Sequence, residues 1–160
     1  MTTFVLSELE AAIRSSWSAE TATPPNRELW SATNPAWDQC GVTALVVSDL
    51  LGGDLVCGEV HRDGVRIDYH WWNLLGPGLE VDLTREQFID GEQVVGKDVV
   101  TRPPNEKIVW LREEYELLSD RVRSKLGLQP SAPGEYSALV SPRPRGEGRG
   151  APDSGRGRAL

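Results

Sequence analysis

The chain has 160 residues, 39% of them hydrophobic and 26% charged, which is enough apolar material for one domain with a sizeable core. Its net charge is −7; residues 131–160, with five arginines and three acidic residues, carry +2, which leaves −9 on residues 1–130. Because phosphates and anionic membrane surfaces are bound by clustered Lys and Arg, neither nucleic acid nor a membrane is expected as a partner. The sequence has no apolar run of membrane-spanning length and no signal-peptide pattern, so a cytoplasmic location is expected.

Three helices are predicted along the chain. The first covers about 7–17, where Ser7-Glu8-Leu9-Glu10 has capping-box spacing and apolar residues follow at helical intervals. The second runs from Gln39 to Leu51 and is stopped by Gly52-Gly53. Its apolar residues cover nearly every direction, which is typical of a helix buried in a core. The last helix is predicted over 106–126.

Three strands are predicted between the second and the last helix, over 55–60, 65–71 and 79–83. Turn-forming residues at 61–64 and 76–78 join them, so the three should be consecutive and antiparallel. The fold class is therefore α+β, a buried helix packed on a small antiparallel sheet in a single domain of residues 1–130. Residues 131–160, rich in Pro, Gly and Arg, are expected to form a disordered tail.

Cys40 falls on the first turn of the second predicted helix, with Asp38 as the expected N-cap. Unpaired backbone N–H groups and the helix dipole favour a thiolate at such a position, and the thiolate is the nucleophilic form. We therefore predict that Cys40 is a nucleophile. Cys57 lies in a predicted strand and is expected to be a buried core residue instead of a nucleophile. A disulfide between the two cysteines is not expected in a cytosolic chain.

His70 and Asp82 lie on the second and third predicted strands and complete a candidate catalytic set. An imidazole takes and returns protons near neutral pH, and a carboxylate on its other nitrogen fixes its tautomer. Neighbouring antiparallel strands can place the two side by side, although a slip of one residue would turn Asp82 away. Asp68 and Asn73 are rival orienting residues.

An acyl transfer also needs donors for the oxyanion. The Cys40 backbone N–H is the first expected donor, and the side chain of Asn34 or of Gln39 is the second. The walls of the substrate cleft are expected to be aromatic, formed by Trp37, Trp71 and Trp72. No spacing typical of a metal site or a phosphate loop occurs, so neither a metal nor another cofactor is expected.

Four motifs in order carry a resemblance to the YunG-like family of small bacterial proteins: Asn34–Val47, Leu51-Gly52-Gly53, His70–Asn73 and Val81–Phe88. The order of Cys, His and Asp also resembles the wider papain-like and transglutaminase-like group. That resemblance implies a papain-like or transglutaminase-like fold, in which Cys40 attacks an amide or ester carbonyl, His70 is the base and Asp82 orients it. Papain-like enzymes have a glutamine six residues before the nucleophile, where this chain has Asn34.

The function expected from these residues is a thiol-dependent acyl-transfer enzyme, a hydrolase of an amide bond in a small or short peptide-like substrate. One alternative is a transferase that forms amides in a biosynthetic pathway, since water and an amine differ only in which one reaches the acyl-enzyme. Another is a binding module that retains the fold without catalysis.

Overall fold

A computed structural model of the chain describes residues 3–131. Three helices and four strands form its framework: α1 (Leu6–Arg14), α2 (Cys40–Leu51), β1 (Asp54–Arg62), β2 (Val65–Gly76), β3 (Leu79–Val81), β4 (Gln93–Val100) and α3 (Arg112–Lys125). The strands make one antiparallel sheet in the order β3-β2-β1-β4, which confirms the α+β class and the small antiparallel sheet. Except for Ser131, the predicted tail lies outside the described residues.

The helix α2 is the centre of the core, as its all-round apolar sequence predicts. Its residues from Gly41 to Ser48 are all buried. Asn73 of β2 donates a hydrogen bond from Nδ2 to the carbonyl of Ala44 at 2.8 Å, which fixes the helix on the sheet. The buried apolar cluster contains residues of α1, α2, α3 and β1 and one residue, Ile108, from the segment before α3. Its members include Leu9, Ile13, Val42, Leu45, Val46, Leu55, Leu118 and Val122. In the described part of the chain, no helix has the length and apolarity needed to cross a membrane.

The first helix is shorter than predicted at its C-terminal end. It begins at Leu6, and the Glu8 carboxylate accepts the Val5 N–H at 2.9 Å, so the predicted capping box at Ser7 is wrong. The hydroxyls of two serines, at positions 15 and 16, donate back to helix carbonyls at 2.7 and 2.6 Å. Such bonds compete with helix continuation. Trp17 therefore lies beyond the helix, where its Nε1 donates to Thr43 Oγ1 of α2 at 2.9 Å.

The β1–β2 hairpin turns at Asp63 and Gly64, whose φ angles of 52° and 77° suit a tight two-residue turn. The predicted turn is confirmed at Asp63-Gly64, whereas His61 and Arg62, predicted to be part of it, belong to β1. The strand β4 was not predicted from the sequence. It pairs with the outer edge of β1, and the register shifts between Cys57 and Glu59, opposite the part of β4 that contains Gly96 at φ 68°. A bulge of this kind breaks the alternation by which strands are predicted.

The last helix begins six residues later than predicted, at Arg112. Leu111 immediately before it has φ 66°, a left-handed conformation that an α-helix does not contain. The residues Asn105–Lys107 form a separate 3₁₀ turn instead. Ile108, between the two, is nevertheless completely buried.

Gly53 sets the distance between the end of α2 and the sheet. A Cβ at this position would lie 2.4 Å from the Leu74 carbonyl oxygen and 2.9 Å from Leu75 Cα, both backbone atoms of β2. Gly127, after α3, has a similarly positive φ but no atom within 4 Å of such a Cβ. We expect Gly127→Ala to lower the free energy of unfolding by about 1–2 kcal/mol through backbone strain alone. Gly53→Ala should lower it by about 1–3 kcal/mol more, because β2 must also move.

Chemical denaturation of the two variants measures this difference. Equal losses at Gly53 and Gly127 would show that β2 does not approach the chain at Gly53 as closely as described.

Candidate active site

The start of α2 presents Cys40 as its first residue. The first intrahelical hydrogen bond runs from the Thr43 N–H to the Gln39 carbonyl at 3.0 Å, so the N–H groups of Cys40, Gly41 and Val42 have no partner within the helix. Gln39 is the N-cap residue, and the prediction that Asp38 caps the helix is wrong.

Asp38 instead ties a preceding loop to the site. Its φ is 60°, and its carboxylate accepts the backbone N–H and the hydroxyl of Thr23 at 2.7 and 2.6 Å. With its carboxylate bonded to Thr23, Asp38 is not free to accept N–H groups of the helix.

His70 and Asp82 are in direct contact. His70 Nε2 lies 2.7 Å from Asp82 Oδ2, and the His70 side chain is 1% exposed. Asp82 is the first residue after β3, which pairs Val81 with Asn73, so it follows the strand instead of lying on it as predicted. Thr84 holds the other carboxylate oxygen, donating its backbone N–H to Asp82 Oδ1 at 3.1 Å. The carboxylate is thereby fixed toward the imidazole.

The rival orienting residues make other bonds. Asp68 Oδ1 accepts the N–H of Tyr69 at 2.8 Å, and the Asn73 side chain donates to α2. Of the three candidates, Asp82 is therefore the one that the structure places on His70.

The hydrogen bonds of His70 define its tautomer. A carboxylate only accepts, so Nε2 carries a proton that it donates to Asp82, and Nδ1 carries the lone pair. That lone pair faces Gln87, whose Nε2 lies 3.2 Å from Nδ1. The ring is enclosed by Trp72, stacked at 5.4 Å between ring centroids, and by the edge of Phe88 at 4.8 Å. The nitrogen that would receive a proton is thus the one bonded to Gln87.

The sulfur of Cys40 lies against β2 at the residue next to His70. The strand β3 stops opposite Asn73, and beyond its end the Trp71 backbone N–H lies near enough to the Cys40 sulfur to lower the pKa of the thiol. Cys40 therefore lies close to the backbone of the residue that follows His70, while Nδ1 of His70 bonds Gln87 in this structure.

Cys40 is held as a thiol at neutral pH. Burial raises its pKa to about 12, although the residue as a whole retains some exposed surface. The Trp71 N–H acts in the opposite direction, while the carboxylates of Asp38, Asp68 and Asp82 raise the pKa further. The prediction that the helix start favours a thiolate at Cys40 is therefore wrong, because desolvation outweighs the helix-start effects. Attack by Cys40 needs a base that removes the proton as the reaction occurs.

The charge of Asp68 supplies a prediction. We expect Asp68→Asn to lower the pKa of Cys40, and since the thiolate is the reactive form, alkylation by iodoacetamide at pH 8 should accelerate a few-fold. Asparagine keeps the oxygen that accepts the Tyr69 N–H. Rates of carboxamidomethylation at Cys40, followed by peptide mass spectrometry, test this. Asp63→Asn, in the exposed hairpin turn, is the matched control and should leave the rate unchanged; an equal change in both variants would contradict the local effect.

The two predicted oxyanion side chains are bonded elsewhere. Gln39 is completely buried; its Nε2 donates to the Ser18 carbonyl at 3.1 Å and its Oε1 accepts the Thr21 hydroxyl at 2.7 Å. Asn34 donates from Nδ2 to the backbone carbonyl of Gln87 at 2.9 Å. The first is a core hydrogen-bonding residue, and the second supports the segment that carries Gln87.

The three tryptophans predicted to form cleft walls have different surroundings. Trp72 is buried over His70, and its Nε1 donates to Glu80 at 2.8 Å. Trp71 points to the opposite face of β2 and lines an open concavity of about 900 Å³ next to Cys57. Trp37 is half-buried. Only Trp72 of these three stacks on the His70 ring.

The structure adds residues to the site that the sequence did not single out: Thr84, Gln87 and Phe88. All lie within six residues of Asp82, in a segment containing the 3₁₀ helix Arg85–Gln87. The sequence did contain one sign of a local turn here: Thr84 lies two residues after Asp82, and at this spacing an Asp side chain can accept the backbone N–H. Such a turn brings the following residues back over the histidine.

Both cysteines are free thiols, and burial, with Asp98 and Glu59, raises the pKa of Cys57 to about 11. Within residues 3–131, no group of three or more His, Cys, Asp or Glu side chains is placed to hold a metal ion.

The fold and site define a class of α+β proteins with a cysteine at the start of a buried helix and a histidine of the adjoining sheet hydrogen-bonded to an aspartate. The chain belongs to the YunG family, whose model, described as YunG protein, matches residues 5–127. It is 33% identical over 76 residues to "Uncharacterized protein YunG" of Bacillus subtilis (strain 168), an alignment that covers 48% of this chain and 56% of the relative. The chain thus spans about half the length of that relative. No solved structure matches the chain significantly.

Proposed function

We propose that this protein is a thiol-dependent acyl-transfer enzyme of papain-like design that hydrolyses an amide bond in a small or short peptide-like substrate. The observation that carries the proposal is the 2.7 Å contact of buried His70 with Asp82, together with the closeness of the next backbone N–H, that of Trp71, to the Cys40 sulfur. A nucleophile, a base and a group that orients the base are the three parts that such chemistry uses.

In the first half-reaction the Cys40 sulfur forms a bond to the substrate carbonyl carbon as its proton passes to Nδ1 of His70. The carbonyl π pair moves onto oxygen, and the free N–H of Cys40 donates to that oxyanion. The oxyanion then collapses, the carbon–nitrogen bond breaks, and the proton on Nδ1 passes to the departing amine. Asp82 stabilises the imidazolium throughout, because it accepts the Nε2–H.

In the second half-reaction a water molecule loses a proton to Nδ1 as its oxygen attacks the thioester carbon. The carbon–sulfur bond breaks, the proton returns to the sulfur, and a carboxylic acid leaves. General-base action of this kind suits a thiol whose pKa burial raises to about 12, since no preformed thiolate is required.

A transferase is the second candidate for this site. His70 lies between the rings of Trp72 and Phe88, and apolar surroundings of this kind limit the access of water to an acyl-enzyme. An amine would then take the place of water in the second half-reaction, and an amide would be formed instead of an acid.

A binding module without catalysis is favoured by one observation, namely that both ring nitrogens of His70 are already hydrogen-bonded, to Asp82 and to Gln87. A histidine satisfied in this way can serve the core alone.

Turnover of a panel of small amides and of p-nitrophenyl acetate, with and without added amines, separates these candidates. We expect hydrolysis that Cys40→Ser abolishes and the matched variant Cys57→Ser retains. Amide formation only with added amine would identify the transferase. A folded protein that is inert toward the whole panel would favour the binding module.

A further inference from the structure

Gln87 contacts the His70 nitrogen that would receive the thiol proton, yet it has no role in the proposed reaction so far. It is the last residue of the 3₁₀ helix Arg85–Gln87, and its side-chain amide carries two N–H groups. The amide nitrogen lies 3.1 Å from the Thr84 carbonyl and 3.2 Å from Nδ1 of His70. One of its hydrogens therefore sits on the lone pair that must receive the thiol proton.

The backbone of Gln87 is fixed from two sides. Its N–H donates to the Thr84 carbonyl at 3.0 Å, and its carbonyl accepts from Asn34 Nδ2 at 2.9 Å. Rotation about the side-chain bonds is thus the motion left to the amide, and it stays within reach of the space beside Nδ1.

We propose that Gln87 is the side-chain oxyanion donor of the Cys40 site, held on His70 between reactions, displaced from Nδ1 by the thiol and kept away once the proton has been transferred. The inference rests on the proposed function. When Nδ1 takes the proton of the Cys40 thiol, it changes from an acceptor to a donor and can no longer accept the Gln87 N–H. That N–H, which the thiol displaces when it hydrogen-bonds to Nδ1, therefore stays free while negative charge develops on the carbonyl oxygen.

The step balances without any further reactant. The S–H bond breaks and its proton goes to Nδ1, the carbon–sulfur bond forms, and the π pair of the carbonyl becomes the oxyanion lone pair. The oxyanion then accepts two N–H groups, one from the backbone of Cys40 and one from the side chain of Gln87. Asn34, which the sequence suggested as the donor, acts through Gln87 as a positioning residue.

Two electrophiles that differ in their transition states test this role. p-Nitrophenyl acetate acylates a thiol through an oxyanion, whereas iodoacetamide alkylates it by displacement without one. In Gln87→Met we expect the acylation rate of Cys40 to fall about 100-fold, the usual loss for one oxyanion donor. The alkylation rate should not fall, because Nδ1 is left free. The ratio of the two rates therefore drops about 100-fold.

Gln93→Met, on the exposed strand β4, is the matched control and should leave both rates unchanged. A loss of acylation and alkylation by the same factor in Gln87→Met would overturn the inference and leave Gln87 a structural support. Unchanged rates would overturn it as well. Failure of the proposed function looks different, because wild-type Cys40 would then not be acylated, or its acylation would not depend on His70.

Discussion

Replacing His70 by alanine should slow the acylation of Cys40 by p-nitrophenyl acetate at least about 100-fold, the usual contribution of a positioned general base. The physical reason is the pKa of Cys40, which burial raises to about 12, so that without a base the reactive thiolate is scarce at neutral pH. Release of p-nitrophenolate under single-turnover conditions measures the rate.

His70→Ala also leaves Asp82 without its ring partner, although Thr84 still donates to the carboxylate. Thermal unfolding therefore accompanies the kinetics, and His70→Gln, which retains a donor for Asp82, should lose acylation to the same degree with a smaller loss of stability. A folded His70 variant that acylates at the wild-type rate would contradict the role of His70 as the base.

Replacing Gln39 by alanine should lower the free energy of unfolding by about 2–4 kcal/mol, the combined cost of a cavity and of two lost buried hydrogen bonds. Gln39 is completely buried and bonds Ser18 and Thr21, so its loss removes one hydrogen bond from the Ser18 carbonyl and one from the Thr21 hydroxyl, which are left bonded to each other. Urea denaturation followed by tryptophan fluorescence measures the effect.

The matched change Gln93→Ala, on the exposed face of β4, should alter stability by no more than about 0.5 kcal/mol. At temperatures where Gln39→Ala is folded, its acylation rate should equal that of the wild type. If Gln39→Ala kept the wild-type stability but lost most of its acylation, Gln39 would be an oxyanion donor, as the sequence suggested.

The parts of the fold that were predictable are those with strong local signals. The apolar residues of α2 require burial whatever their surroundings, and Asp63-Gly64 requires a tight turn. The strand β4 and the late start of α3 had no such signal, because a bulge around Gly96 and the left-handed φ of Leu111 arise from tertiary packing.

The contact between His70 and Asp82 was predicted from the sequence, since neighbouring antiparallel strands can bring the two positions together. The prediction held only for one register of the two strands. The register is set by Val81 opposite Asn73, a pairing that the sequence does not specify. The pKa of Cys40 was not predictable, because helix-start effects are local whereas desolvation depends on how completely other elements cover the sulfur. Gln87 was missed for the same reason: its contact with His70 exists only once the segment after Asp82 has folded over the ring.

The central claim is that Cys40 receives the acyl group. The most direct measurement is peptide mass spectrometry of the protein quenched in acid after brief exposure to p-nitrophenyl acetate. We expect the acetyl group on Cys40 in the wild type and in Cys57→Ser. In Cys40→Ser we expect no acetyl group at position 40. Acetylation confined to Cys57 or to lysines, with Cys40 unmodified in folded protein, would contradict a nucleophilic role for Cys40.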